Sequence, residues 1–201
     1  MIAALVASER LGVHVSPWLL LLLLLLPVIG VGCQEDSADP ANAPRSTADL
    51  KASSDQAISP LSEPFAVPEG FSITTTDGAT LNIGAKEGRV QVLNFWATWC
   101  PPCLEEIPEL NRLHEKHGSQ NVQVIGIANK QSPAEVIPFA QRHEIAYPVV
   151  ADSTGRLDDA LGPIYVLPTT LIVRPSGRIT HQVTGIFPVD TFTKELDSFR
   201  E

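Results

Sequence analysis

Phe95-Trp96-Ala97-Thr98-Trp99-Cys100-Pro101-Pro102-Cys103 is the stretch whose reading decides the fold. It reads as the end of a buried strand and the start of a helix, with two cysteines across the junction. A helix N-terminus offers unpaired N–H groups and positive potential, and both lower the pKa of a thiol placed in the first turn. Cys100 precedes the prolines and is expected at the exposed mouth of the helix. Cys103, one turn further in, faces the same way and can close a short ring with it. Cys100 is therefore read as the attacking thiol and Cys103 as the resolving one.

Working outward, Val90, Val92, Leu93, Phe95 and Trp96 make Arg89 to Trp96 a mostly apolar run, as in a central strand covered on both faces. Downstream, a helix is expected from about Pro101 to His117, stopped by Gly118. Glu106 falls one helical turn after Cys103 and on the same face. A partly buried carboxylate there, its pKa raised, would serve as the base that the buried thiol needs. Val122 to Ala128 is the next strand, and Ser132-Pro133 opens a helix through about His143. A short strand over Tyr147 to Ala151 and a short helix over Thr154 to Leu161 follow. Thr169 to Arg174 and Arg178 to Thr184 form a hairpin around Pro175-Ser176-Gly177. Val189, Phe192, Leu196 and Phe199 share one face of a terminal helix through Arg200. Upstream, Phe71 to Thr76 and Ala79 to Ile83 flank Asp77-Gly78 as a smaller hairpin.

The chain has 201 residues, a net charge of −9 and three cysteines. Without a Lys/Arg cluster, nucleic-acid binding by phosphate neutralisation is excluded as a role. Two cysteines beyond Cys33 are too few to staple a secreted scaffold, which points to catalytic use. Residues 1–33 read as a targeting segment, with an unbroken leucine run from Leu19 to Leu26. Residues 34–63, rich in Ala, Ser, Asp and Pro, read as a flexible polar linker. The folded domain is expected over 64–201.

The stretch Asn94 to Cys103, followed by Leu104-Glu105-Glu106-Ile107-Pro108-Glu109-Leu110, resembles the TlpA/ResA-type membrane-tethered thiol–disulfide oxidoreductases of the thioredoxin-like superfamily. The resemblance implies an α/β thioredoxin-like fold, a central mixed sheet flanked by helices, here with an N-terminal β-hairpin extension. It implies a cis Pro168 in Val166-Leu167-Pro168-Thr169-Thr170, facing the cysteines and presenting the Leu167 backbone beside Cys100 to an incoming peptide, with Trp99 as a further substrate-binding residue. It implies that Glu106 helps set the cysteine pKa values. Asn94 stands where thioredoxin itself has a buried aspartate, a departure common to the TlpA/ResA group. Gly30-Val31-Gly32-Cys33 resembles a bacterial lipobox, with Gly30 departing from it. Lipidation of Cys33, an uncleaved anchor and ordinary cleavage stay open, and each exports the domain.

The expected function is that of an extracytoplasmic enzyme, tethered to a bacterial membrane, that reduces disulfides in exported proteins such as apocytochrome c or copper-site proteins. Its partners would be those thiol or disulfide proteins and a membrane electron donor that re-reduces the pair. A monomer with no cofactor beyond the Cys100–Cys103 disulfide is expected. Pro101 and Pro102 offer no N–H to a Cys100 thiolate, which favours a reductant over a disulfide donor. Three alternatives compete with this reading. His114 and His117 could complete a zinc site with the cysteines on paper, but lie several turns along the same helix and are expected at the solvated surface. A peroxiredoxin-like thiol peroxidase lacks its upstream proline here. A copper metallochaperone on the same fold lacks its Cys-x3-Cys spacing, with His181 the one histidine late in the chain.

Overall fold

The computed structural model describes residues 57–84 and 88–201. The expectations for the targeting segment, for Cys33 and for the linker up to residue 56 lie outside them. The elements in order are β1 (Pro60–Ala66), β2 (Ser72–Thr74), β3 (Thr80–Asn82), β4 (Val90–Trp96) and α1 (Pro101–His117). Then come β5 (Val122–Asn129), α2 (Pro133–Arg142), β6 (Val149–Asp152), α3 (Arg156–Leu161), β7 (Thr169–Val173), β8 (Arg178–Thr184) and α4 (Val189–Lys194). The main sheet has the order β1-β8-β7-β4-β5-β6, while β2 and β3 form a separate two-stranded ribbon. β5 runs parallel to β4 and β6, whereas β7 is antiparallel to β4 and β8. This is the mixed sheet and N-terminal hairpin expected.

β4 lies at the centre because every one of its residues can be buried. Alternation divides them between two faces. Val90 and Val92 pack with Leu110 and Leu113 of α1 and Phe192 of α4. Leu93 and Phe95 face the other way, toward Leu157 and Leu161 of α3 and toward Ile73 and Ile83 at the hairpin. By the same parity Asn94 points to the α1 side. Gln91, also buried, is satisfied on the hairpin side: its side chain accepts from Gly84 N–H at 2.8 Å and donates to Asn82 O at 2.9 Å. Opposite Asn94 on β5 stands Gly126. A Cβ there would come within 2.8 Å of the Tyr147 ring and 3.0 Å of Trp96 Nε1, so the glycine makes room for both rings.

Three expectations are corrected. β1 begins at Pro60, so residues 60–63 belong to the sheet and not to the linker. All but one of its residues are exposed, because an edge strand is held by its backbone and needs no apolar pattern. α1 ends at His117 with Gly118 as its C-cap, as expected, although Gly118 is right-handed, with φ of −58°. The chain continues into a 3₁₀ turn, and Asn121, with φ of 68°, makes the reversal, a conformation that asparagine tolerates. The terminal helix ends at Lys194 and tightens into a 3₁₀ turn over Leu196–Phe199. Side chains three apart eclipse in that geometry, so Leu196 and Phe199 still face the core. His114 is half-buried and His117 buried, because α1 turns that edge inward. The solvated placement expected of the two histidines does not hold.

Candidate active site

Cys100 is the N-cap of α1, with Pro101 and Pro102 opening the helix. It is joined to Cys103 by a disulfide, with the Cα atoms 5.3 Å apart. The Cys103 N–H donates to the Cys100 carbonyl at 3.1 Å. With no N–H on either proline, the first turn gives a Cys100 thiolate the helix potential but few direct donors. Cys100 is more enclosed than its place at the helix mouth suggests. It is 3% exposed, packed with Trp96, Ala97 and Leu167. Beside it Trp99 is 70% exposed, whereas Trp96 is buried.

Leu167-Pro168 is a cis peptide, as the resemblance implies. The Pro168 carbonyl accepts from Gly185 N–H at 2.8 Å. Tyr165 and Val166, just upstream, are largely exposed. Trp99, Tyr165 and Val166 are the most exposed large apolar side chains of the described residues, and all three adjoin the cysteines or Leu167-Pro168 in sequence.

Glu106 is almost wholly buried, at 1% exposure. Its Oε1 accepts from Asn94 Nδ2 at 2.8 Å and its Oε2 from the Phe187 backbone N–H at 3.0 Å. The same Asn94 amide also donates to Thr170 Oγ1 at 3.1 Å. Burial drives the Glu106 pKa up to about 7, and the two hydrogen bonds pull against it without cancelling it. Tyr147, enclosed nearby, has its pKa pushed upward by burial first and then by the Glu106 charge. The site thus holds a carboxyl near half-protonation at neutral pH, one helical turn beyond Cys103.

Spacing along one helix placed Cys100, Cys103 and Glu106 together. The partners of Glu106 were not read as such. Asn94 could have been found as the polar residue of an apolar strand on the α1 side, but nothing in sequence marks the Phe187 N–H. Gln131 was also missed. It is buried, accepts from Thr98 N–H at 2.8 Å and donates to Thr98 Oγ1 at 2.7 Å. Among the described residues no helix is long and apolar enough to cross a membrane.

Residues 66–182 match the AhpC/TSA family. The thiol–disulfide oxidoreductase ResA of Halalkalibacterium halodurans is 32% identical over 115 residues, which is 57% of this chain and 65% of that protein. The chain therefore spans somewhat less than two thirds of that curated relative. Among solved structures, a thiol:disulfide interchange protein of the thioredoxin family from Chlorobium tepidum TLS superposes with a TM-score of 0.61 at 27% identity, covering 70% of this chain and 99% of that one. StoA from Bacillus subtilis does so with a TM-score of 0.55 at 26% identity, covering 68% and 100%.

Proposed function

The chain belongs to the AhpC/TSA family and is of the thioredoxin-like ResA type, and from that premise we propose that it reduces disulfides in exported proteins through Cys100 and Cys103. The observation that carries the reading is the buried Glu106, held by two neutral N–H donors one turn after the disulfide-bonded Cys103.

In the reduced protein the Cys100 thiolate attacks one sulfur of a substrate disulfide. A mixed disulfide forms, and the other substrate sulfur leaves as a thiolate that takes a proton from solvent. Cys103 then gives its proton to Glu106 and attacks the Cys100 sulfur. The second substrate sulfur departs as a thiolate and is protonated in turn as Glu106 releases its proton, and two electrons have passed to the substrate. Glu106 suits this step because its pKa of about 7 makes it a willing acceptor without keeping the proton permanently. The oxidised pair is then restored by an external dithiol donor, which we place at the membrane. Trp99, Leu167 and Pro168 are assigned to the docking of the substrate chain, which pairs its backbone with Leu167 in strand fashion. Tethering through Cys33 or an uncleaved leader, and a periplasmic or equivalent extracytoplasmic location, belong to the same proposal.

The test is equilibration of the full chain against dithiothreitol and glutathione buffers, combined with reduction of a disulfide-bonded polypeptide. A potential at or below roughly −270 mV, with reduction of the polypeptide, supports a reductant. A potential near about −120 mV overturns it in favour of disulfide donation. Faster consumption of hydrogen peroxide than of disulfide would make it a peroxidase, and stoichiometric copper uptake without turnover would make it a carrier.

A further inference from the structure

The two arms of the site, one carrying Trp99-Cys100 and the other Tyr165 to Pro168, are both tied to consecutive residues of a single turn. That turn follows β5 and leads into α2 through Lys130, Gln131 and Ser132. Gln131, 4% exposed, grips the first arm with its whole amide: Oε1 takes the Thr98 N–H and Nε2 reaches Thr98 Oγ1. Lys130 reaches the second arm indirectly. Its Nζ lies 3.0 Å from Asp158 Oδ2, and the other oxygen of Asp158 accepts the N–H of Ile164. Ile164 is buried and opens the segment that runs through Tyr165 and Val166 to the cis Leu167-Pro168 bond.

The turn itself is anchored. Lys130 holds a left-handed φ of 54°, one of three non-glycine residues among those described to do so. Its stem lies against Gly155, where a Cβ would meet Lys130 Cε at 2.8 Å. Ser153 Oγ donates to the Gln131 carbonyl at 3.2 Å, and Ser132 with Glu135 closes a capping box at the start of α2. Asp152 accepts the N–H groups of Arg156 and Leu157, fixing the start of α3, which carries Asp158.

We propose that the Lys130-Gln131 turn is a positioning bracket for the site: Gln131 sets the arm that presents Cys100, and Lys130, through Asp158, sets the arm that receives the substrate backbone. The inference rests on the disulfide-exchange reading for what the arms do, but not for their placement. Neither residue touches the sulfurs, so both act through the arms they hold. Small displacements of reacting groups have large effects on rate, and a single turn that fixes both arms keeps their separation constant.

The experiment compares Gln131→Met, Thr98→Val, Lys130→Met and Lys130→Arg in the full chain. The readouts are the pH profile of Cys100 alkylation by iodoacetamide in the pre-reduced chain, the rates with a disulfide-bonded polypeptide and with the small disulfide oxidised glutathione, and the thermal midpoint. Gln131→Met is expected to shift the alkylation profile and slow both disulfide reactions, on the order of tenfold. Thr98→Val, which keeps the Thr98 N–H bond, gives a smaller change in the same direction. Lys130→Met slows the polypeptide alone, and Lys130→Arg restores it. If these variants lower the thermal midpoint while the alkylation profile and the ratio of polypeptide to small-disulfide rates stay at wild type, the turn is only structural and the proposal falls. Alkylation needs no substrate, so an unreactive wild type toward disulfides would count against the function and leave this comparison readable.

Discussion

Two buried carboxylates lie on opposite faces of the sheet and are held in opposite ways. Glu106, on the α1 side, takes N–H groups from Asn94 and Phe187, and no cation among the described residues contributes to its environment. Asp158, on the α3 side, takes the Ile164 N–H and pairs with the ammonium of Lys130 at 3.0 Å. Burying a carboxylate costs free energy unless hydrogen bonds and opposite charge offset it. At Asp158 both are present and the group serves as a strut between segments. At Glu106 only the hydrogen bonds are present, so the deficit appears as proton affinity. One face of the sheet uses a buried acid to hold shape, the other to hold a proton.

Replacing each acid by its amide should separate the two roles. Glu106→Gln is expected to slow disulfide reduction at neutral pH by on the order of 10²–10³-fold, as for loss of a general base. Stopped-flow mixing with a disulfide-bonded polypeptide measures it. Asp158→Asn, which breaks the pair with Lys130, should slow the polypeptide far less, on the order of tenfold at most, as Lys130→Met does, and leave the rate with a small disulfide unchanged.

The second contrast is thermodynamic. The folded Glu106 has its pKa raised from 4.5 to about 7. Between those values the unfolded chain releases a proton that the folded chain keeps. The contribution is therefore fully present below about pH 4.5 and is lost as pH rises through about 7, a fall of about 3 kcal/mol. Urea titrations of the oxidised protein across that window should show the slope, and Glu106→Gln should remove that part of it. An unchanged slope in the variant would assign it to other groups.

Asp158→Asn should lower stability by about 1–2 kcal/mol, because the buried Ile164 N–H keeps an acceptor while the ion pair is lost. Lys130 is 63% exposed and regains water, which limits the cost. Denaturant midpoints check it.

The finest test alters the environment of Glu106 without removing it. Asn94→Asp exchanges a donor for a second carboxyl on the same oxygen. Two carboxyls in contact share a proton, so the pH midpoint of the exchange rate should rise by about 1 unit.

These contrasts also separate what the sequence discloses from what it hides. Cys100, Cys103 and Glu106 are legible because helical spacing alone places them together. Pro168 is legible through a family motif that is local in sequence. The partners that give Glu106 its character are not local: Asn94 lies 12 residues away and Phe187 lies 81 away. The Phe187 contact uses a backbone N–H that any residue but proline would supply. Gln131 sits 33 residues from Thr98, and a glutamine at a helix entry has many bland uses. β1 was hidden for another reason. Its mostly exposed residues carry no apolar–polar alternation, since backbone pairing with β8 holds the strand. The break in the terminal helix was hidden because the three-residue step from Leu196 to Phe199 fits an α-helix and a 3₁₀ turn alike.

The most direct measurement is the titration of the Glu106 carboxyl carbon by ¹³C NMR in the oxidised full chain, with Glu106→Gln to assign the signal. A midpoint near 7 is expected. A midpoint at or below about 4.5, the range of an ordinary glutamate, would contradict the account, because such a carboxylate would be too weak a base to take the proton from Cys103.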